Sequence, residues 1–347
     1  VPAGLSTEMC DMVIQTLRQV VGRELPDEKM LELDEKDIFP EDFIRKLLSP
    51  DVGLHLIFLP EENCGLGGGA RDICRVSEEM AAFDLGVATA FLAICLGTDP
   101  ILVGGNKEQK DLWLNRIATE GLIVAYGVTE PEAGSNVASL KTTADQIIDA
   151  NGTVTGYRLN GAKQFITNGG VAELYTILAK TPGGPSFFVI EKGTPGLSVG
   201  KHEDKHGIRA SNTTGVLMED VEIPAFNLIG IEEGQGLKQA NAVFGYTRLM
   251  VGAFGIGGGQ EPLKRALAYA KEREQFGSAL VEKQGYMFKL LADHWIDLAA
   301  GRAHMEHVAL LIDQGNHDMG TEGSIAKLWG TEAGNRAADA SIQALGG

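Results

Sequence analysis

The residues with the clearest capacity for chemistry lie in the run Tyr126-Gly-Val-Thr-Glu-Pro-Glu-Ala-Gly-Ser-Asn136. The apolar stretch Leu122–Tyr126 has the β-rich character of a strand, and it breaks abruptly at Thr129-Glu130-Pro131. Pro131 removes a backbone donor and fixes φ, Gly134 admits conformations that a side chain forbids, and Thr129 and Ser135 bring hydroxyls into the same bend. Backbone N–H groups and two hydroxyls therefore converge at a strand end. Donors already held in place cost little further ordering on binding, so the bend suits an anion or a flat ring rich in heteroatoms. An ordinary solvated loop accounts for the same letters.

Three further segments change the balance. Gly127–Ser135 resembles the flavin-binding signature of the acyl-CoA dehydrogenases, and Lys163-Gln-Phe-Ile-Thr-Asn168 resembles that family's second flavin segment. Arg273-Glu-Gln-Phe-Gly277 and Gln343-Ala-Leu-Gly-Gly347 resemble its third and fourth. The similarity runs from about residue 6 to the last residue and is closest to the medium- and short-chain members. It implies FAD as cofactor and removal of two vicinal hydrogens from an acyl-CoA to give the trans-2-enoyl-CoA. In that reaction the α-proton goes to a carboxylate, the β-hydride goes to N5 of FAD, and an electron-transferring flavoprotein collects the electrons.

The resemblance also assigns residues. Thr129 and Thr167 match the threonines that bond the flavin ring, Thr167 near N5; Tyr126, Val128 and Thr129 match the strand end beneath it. Gly134 and Ser135 fall in the signature turn, Ser135 matching the hydroxyl on the pyrophosphate. Phe165 and Ile166 match the segment stacked over the isoalloxazine, where many members have Trp; Phe keeps the aromatic face and drops the N–H donor. Asn136 stands where the signature usually has Asp, so a charge is lost from that turn. Arg273, Gln275, Phe276, Gln284, Gln343, Gly346 and Gly347 resemble the residues that reach the FAD of a neighbouring subunit. That implies a homo-oligomer, at least a dimer and by resemblance a tetramer.

On the substrate side, Phe244-Gly-Tyr-Thr-Arg248 resembles the segment beside the thioester, with Arg248 behind the site and Tyr246, Thr247 and Ser135 able to contact ligand. Ala88, Phe91 and Leu92 would line an apolar pocket for the acyl tail, and the same letters suit a plain bundle core. Gly86–Ala93 holds no arginine to pair a second carboxylate, which disfavours a glutaryl-type substrate and leaves a straight short or medium chain. The reaction needs a carboxylate within reach of Cα. Some relatives carry it at the position of Thr247, which a threonine cannot serve; others supply a glutamate beyond the Gly-Gly matching Gly346-Gly347. The catalytic base is therefore expected after Gly347, in a continuation of the last helical domain, and Glu261, Glu306 and Glu332 read as solvated face charges.

These residues need a scaffold, and the periodicity supplies one. Residues 1–121 read as helices: Ser6 caps the first, Pro40 opens another, Gly65-Leu-Gly-Gly-Gly69 is a loop, and one long helix spans about Ala70 to Cys95. Between 122 and 230 the period changes to two, with strands near 122–128, 139–147, 153–160, 173–180, 186–191 and 215–223 and a polar connection from Lys201 to Arg209. From 231 to 347 the chain is helical again, with a helix from Gln239 to Glu272 whose run Gly255-Ile-Gly-Gly-Gly-Gln260 reads as close packing, since no strand precedes it. Helices at about 282–314 and 321–345 follow. The expected fold class is multidomain α+β: an N-terminal helical domain, a central antiparallel β-barrel and a C-terminal four-helix-type bundle.

Composition limits the partners. The 347 residues carry 30 Lys and Arg against 47 Asp and Glu, a formal charge of −17, which argues against nucleic acid and against anionic membrane surfaces. Without a run of 18 apolar residues, no membrane insertion is expected. The four cysteines show no metal-like spacing, so reduced, buried or semi-buried thiols are expected. His304 and His307 sit i, i+3 with no third ligand placed, so no metal is expected. By resemblance the protein is soluble, in a prokaryotic cytoplasm or the mitochondrial matrix; the chain begins Val1-Pro2, where a removed leader would leave no trace. Two other readings stay open: a flavin- or acyl-CoA-binding homologue without turnover, and an oxidase that hands electrons to oxygen.

Overall fold

The computed structural model describes residues 4–316 and 319–346, the side chain of Tyr246 excepted; Gly347 and that side chain, both expected near ligand, lie outside the described residues. The first third is helical. Helices α1 (Thr7–Glu24), α2 (Asp27–Glu35), α3 (Glu41–Leu48), α4 (Ala70–Phe83), α5 (Leu85–Gly104) and α6 (Lys107–Glu120) follow one another. Ser6 caps α1 as expected, its Oγ accepting the Met9 N–H at 3.2 Å. At α6 the Asn106 side chain accepts from Gln109 N–H while the Gln109 side chain accepts from Asn106 N–H, and Gly121 at φ +64° ends the helix.

One expected element divides in two. The single helix from Ala70 to Cys95 is broken at Asp84, whose extended backbone closes α4 and whose Oδ1 accepts the Val87 N–H at 2.8 Å to start α5. Gly86 follows the break by two residues but is itself helical, and the aspartate cap passed for a helical residue. Helix α5 then continues to Gly104 through Pro100, and it is long and apolar enough to cross a membrane. Within it, 78% of the most apolar window is buried, as in the core helix of a folded domain. Asp99 and Pro100 interrupt its apolar letters, which is why no continuous run was visible.

The central strands are β1 (Val124–Gly127), β2 (Thr143–Ile148), β3 (Val154–Thr167), β4 (Leu174–Thr181), β5 (Gly184–Glu191), β6 (Leu197–His202) and β7 (Thr213–Pro224). Among the described residues they form one seven-stranded sheet in the order β1-β4-β2-β3-β7-β6, with β5 on β4. The expected central β-domain is this sheet, antiparallel at β2–β3, β3–β7, β4–β5 and β6–β7 and parallel only where β1 runs beside β4 and where β2 meets β4 through one pair, Thr143 with Lys180. Strand β6 occupies part of the expected polar connection; its residues are half-buried or exposed, so its letters carry little alternation.

The last third is helical: α7 (Gly236–Glu272), a hairpin of β8 (Glu274–Gln275) and β9 (Ser278–Ala279), α8 (Gln284–Met287), a π-turn over Phe288–Ala292, α9 (Asp293–Asp313) and α10 (Gly320–Leu345). Helix α7 runs unbroken past Pro262. Its glycines allow a close crossing with α10: a Cβ on Gly255 would lie 2.3 Å from the Gly330 carbonyl oxygen, and one on Gly334 would lie 2.1 Å from that of Gly255. Gly257 packs as tightly on the Glu78 carbonyl of α4. Close packing is thus what the glycine run does, at a propensity cost of about 1 kcal/mol per helical glycine.

Packing gathers the chain into two compact units. One holds α1, Gly67–Ala88 and the chain from Gly245 onward; the other holds Leu25–Leu66 and Thr89–Phe244. The core of the first includes Leu263, Ala266, Leu291, Leu298, Ala333 and Ala337, and that of the second includes Phe91, Leu159, Tyr175, Ile177, Phe187 and Phe188. Cys10, Cys74 and Cys95 are buried and Cys64 is exposed; all four are free thiols.

Candidate cofactor site at the end of the first strand

Strand β1 ends at Gly127, and the chain turns through a bend closed by a reciprocal pair of hydrogen bonds between the Glu130 and Ala133 backbones, 3.0 and 3.2 Å. Within the bend, Val128 is 4% exposed, Thr129 is half-buried, and Gly134 and Ser135 are exposed. A Cβ on Gly134 would meet nothing within 4 Å, so the tip faces open space. Upstream, the Tyr126 ring packs between Phe187 at 5.7 Å and, edge-on, Phe244 at 6.2 Å. Burial, then the Asp99 carboxylate, push its phenol well above the usual range, so it stays neutral.

The second segment lies directly against this bend. The Gln164 N–H donates to the Thr129 carbonyl at 2.9 Å. Pairing of β3 with β7 slips between Lys163 and Ile166, and Phe165 takes a left-handed backbone conformation at φ +57°. That conformation is unusual for an aromatic residue and marks a site held by its surroundings. It leaves Phe165 58% exposed while Ile166 turns into the core at 2%. Thr167 is half-buried and pairs with Thr213. Asn168, also left-handed at φ +62°, is fully buried; its side chain donates to the Ala90 carbonyl of α5 at 2.8 Å.

Two ionisable side chains join the segments from within. Lys163 and Glu130 form an ion pair at 2.6 Å with side chains 0% and 2% exposed. Lys163 Nζ also donates to the Val128 carbonyl at 3.2 Å, and the Glu130 carboxylate accepts from the backbone N–H groups of Lys141 at 2.5 Å and Thr142 at 3.1 Å. Burial would raise the Glu130 carboxyl, but the bonds from Lys163, Thr142 and Lys141 hold it below its ordinary value. Burial likewise pulls Lys163 down, to about 8, against the pull of Glu130. Neither residue was given a role from the sequence. The signal was a lysine on the inward side of a strand, at a position where a buried side chain belongs.

The remaining candidates are distributed as follows. Phe91 and Leu92 are core residues, the Phe91 ring tilted against that of Phe58 with centroids 5.3 Å apart, and Ala88 is fully buried. Thr247 is 6% exposed on α7 and Arg248 is half-buried, less enclosed than a fully buried arginine. Arg273, Gln275 and Phe276 belong to the β8–β9 hairpin, with Phe276 at its tip at φ +53° and 98% exposed. Gln284, Gln343 and Gly346 are exposed. These hairpin and terminal residues belong to the same unit as Arg248, and the β1 and β3 segments belong to the other.

The chain matches the family descriptions "Acyl-CoA dehydrogenase, N-terminal domain" over residues 7–121, "middle domain" over 125–221 and "C-terminal domain" over 234–347. It is 37% identical over 326 residues to an acyl-CoA dehydrogenase of Bacillus subtilis, covering 91% of this chain and 82% of that one. The chain belongs to the acyl-CoA dehydrogenase family. Its fold is similar to that of butyryl-CoA dehydrogenase from Megasphaera elsdenii, with a TM-score of 0.90 at 31% identity, covering 99% of this chain and 89% of the other. It is also similar to an acyl-CoA dehydrogenase complexed with FAD from Bacillus anthracis, with a TM-score of 0.84 at 26% identity over 98% and 60% of the two chains.

The residues on this acyl-CoA dehydrogenase's β1 and β3 segments suit a flavin. Two half-buried threonines, an exposed serine and an open glycine bend supply donors for a heteroatom-rich ring and a pyrophosphate, and an exposed phenylalanine offers an aromatic face.

Proposed function

We propose that this protein is an FAD-dependent oxidoreductase acting on a CH–CH bond, converting an acyl-CoA thioester to its trans-2-enoyl-CoA. Bound FAD supplies the acceptor for the β-hydride. The observation that carries the reading is the junction of the two segments, with Thr129, Thr167 and Phe165 presented around one Gln164–Thr129 backbone bond. Thr129 and Thr167 would hold the ring by hydrogen bonds, with Tyr126 and Val128 at the strand end beside it, Ser135 would serve the pyrophosphate, and Phe165 would offer its aromatic face.

Abstraction of the α-proton needs a carboxylate, and Thr247, buried on α7, has no acid–base function there. In this proposal a carboxylate takes the proton, and Thr247, Arg248, Ser135, Ala88, Phe91 and Leu92 are carried over by resemblance as substrate-side residues. The absence of arginine from Gly86–Ala93 favours a straight short or medium chain over a dicarboxylic one. Electrons then pass to an electron-transferring flavoprotein in β-oxidation.

A homo-oligomer, by resemblance a tetramer, completes the site. Support comes from the exposed apolar side chains of one unit: Phe276 at 98%, Ile296 at 63%, Leu328 and Ile342 at 61% and Phe288 at 55%, which a second copy of the chain would cover. The test is turnover of FAD-loaded protein on a panel of acyl-CoAs, with an electron-transferring flavoprotein or oxygen as acceptor. Enoyl-CoA formation coupled to the flavoprotein supports the reading. Peroxide release would reassign the acceptor, and binding without turnover would reassign the protein as a non-catalytic homologue.

A further inference from the structure

A buried lysine–carboxylate pair is a poor way to gain stability. Desolvating two charges costs several kcal/mol per ion, and replacing such pairs by apolar residues is often neutral or stabilising. The Lys163–Glu130 pair, with side chains 0% and 2% exposed, therefore calls for a reason other than stability. Its bonds suggest one. Lys163 reaches the carbonyl of Val128 and the carboxylate of Glu130, and the neighbouring Gln164 N–H reaches the carbonyl of Thr129. Three consecutive residues of the bend are thus tied to two consecutive residues of β3. The same carboxylate accepts the N–H groups of Lys141 and Thr142, where the chain leaves the bend and enters β2.

Directional, charge-assisted bonds fix orientation in a way that apolar packing does not. Thr129 lies between the two tied residues Val128 and Glu130, and Phe165 and Thr167 lie two and four residues beyond Lys163. We propose that Lys163 and Glu130 are positioning residues: their buried pair sets the geometry in which the bend presents Thr129, and β3 presents Phe165 and Thr167, to the flavin. This rests on the reading that these segments hold FAD. The pair touches neither substrate nor the reacting atoms and acts through the residues it places.

The test compares wild-type protein with the double variant Lys163→Met/Glu130→Gln, which leaves no unpaired buried charge. FAD dissociation constants from fluorescence quenching are measured alongside the visible circular dichroism of the bound flavin and thermal unfolding of the apoprotein. The expected result is a folded double variant that binds FAD at least tenfold more weakly, with an altered visible dichroism spectrum. Wild-type affinity and spectrum in a folded double variant would overturn the proposal and leave the pair merely structural. Should the double variant fail to fold, Lys163→Met alone decides, since both Glu130 carboxylate oxygens keep their bonds from the Lys141 and Thr142 N–H groups: at least threefold weaker FAD binding supports the proposal, and unchanged binding overturns it. Wild-type protein that binds no FAD would instead refute the functional reading on which the proposal rests.

Discussion

The Gln164 N–H donates to the Thr129 carbonyl at 2.9 Å, so two stretches 35 residues apart in sequence share one strand-like contact. This bond makes the two threonine hydroxyls parts of one surface. Replacing Thr129 or Thr167 by Val keeps the shape and removes a hydroxyl. One hydrogen bond is worth about 0.5–1.5 kcal/mol, so each variant should bind FAD roughly two- to tenfold more weakly. Titrating apoprotein with FAD measures this, and the circular dichroism of the peptide backbone should not change.

Glu130 gives the fold an acid limit. Its folded pKa lies below the ordinary carboxyl value, so between the two values the unfolded chain binds more protons than the folded one. The stability it contributes is therefore fully present above the unfolded pKa, about 4.3, and is lost as pH falls through the folded value. Denaturant midpoints measured downward from pH 6 should fall for the wild type, and Glu130→Gln should fall less steeply below about pH 4.3.

The glycine crossing makes two substitutions differ in sign. Ala at Gly255 would drive its methyl onto the Gly330 carbonyl and should destabilise by about 1–3 kcal/mol, since backbone cannot yield as a flexible side chain can. Ala at Gly22, exposed in α1 with nothing within 4 Å of its Cβ, should instead stabilise by about 0.4–1 kcal/mol. Chemical denaturation of both variants checks the pair.

The β8–β9 hairpin offers a test of assembly. Phe276 touches almost nothing in its own chain, at 98% exposure, so Phe276→Asp should change monomer stability by no more than about 0.5 kcal/mol. If the hairpin meets a second copy, the variant should show a lower mass in light scattering and weaker FAD binding. Unchanged mass and affinity would remove the hairpin from the interface.

Much of this arrangement was legible in the letters, and the misses have physical causes. The period-two stretch located six of the strands because each alternates or is continuously apolar; β6 escaped because an edge strand with both faces near solvent has no pattern to read. The parallel pairing of β1 with β4 depends on a partner 50 residues away, which local periodicity does not encode. Phe165 could be assigned by resemblance, but its exposure comes from the slip between β3 and β7, a property of two strands together. Lys163 was read only as a letter of a motif, because a charged side chain in a strand ordinarily faces water; here it faces Glu130.

The most direct test adds a saturated straight-chain acyl-CoA, without oxygen, to the protein loaded with FAD. The yellow colour should bleach as one trans-2-enoyl-CoA forms per flavin. Protein that stays yellow with short, medium and branched acyl-CoAs alike, and releases no enoyl product, would contradict the proposed function.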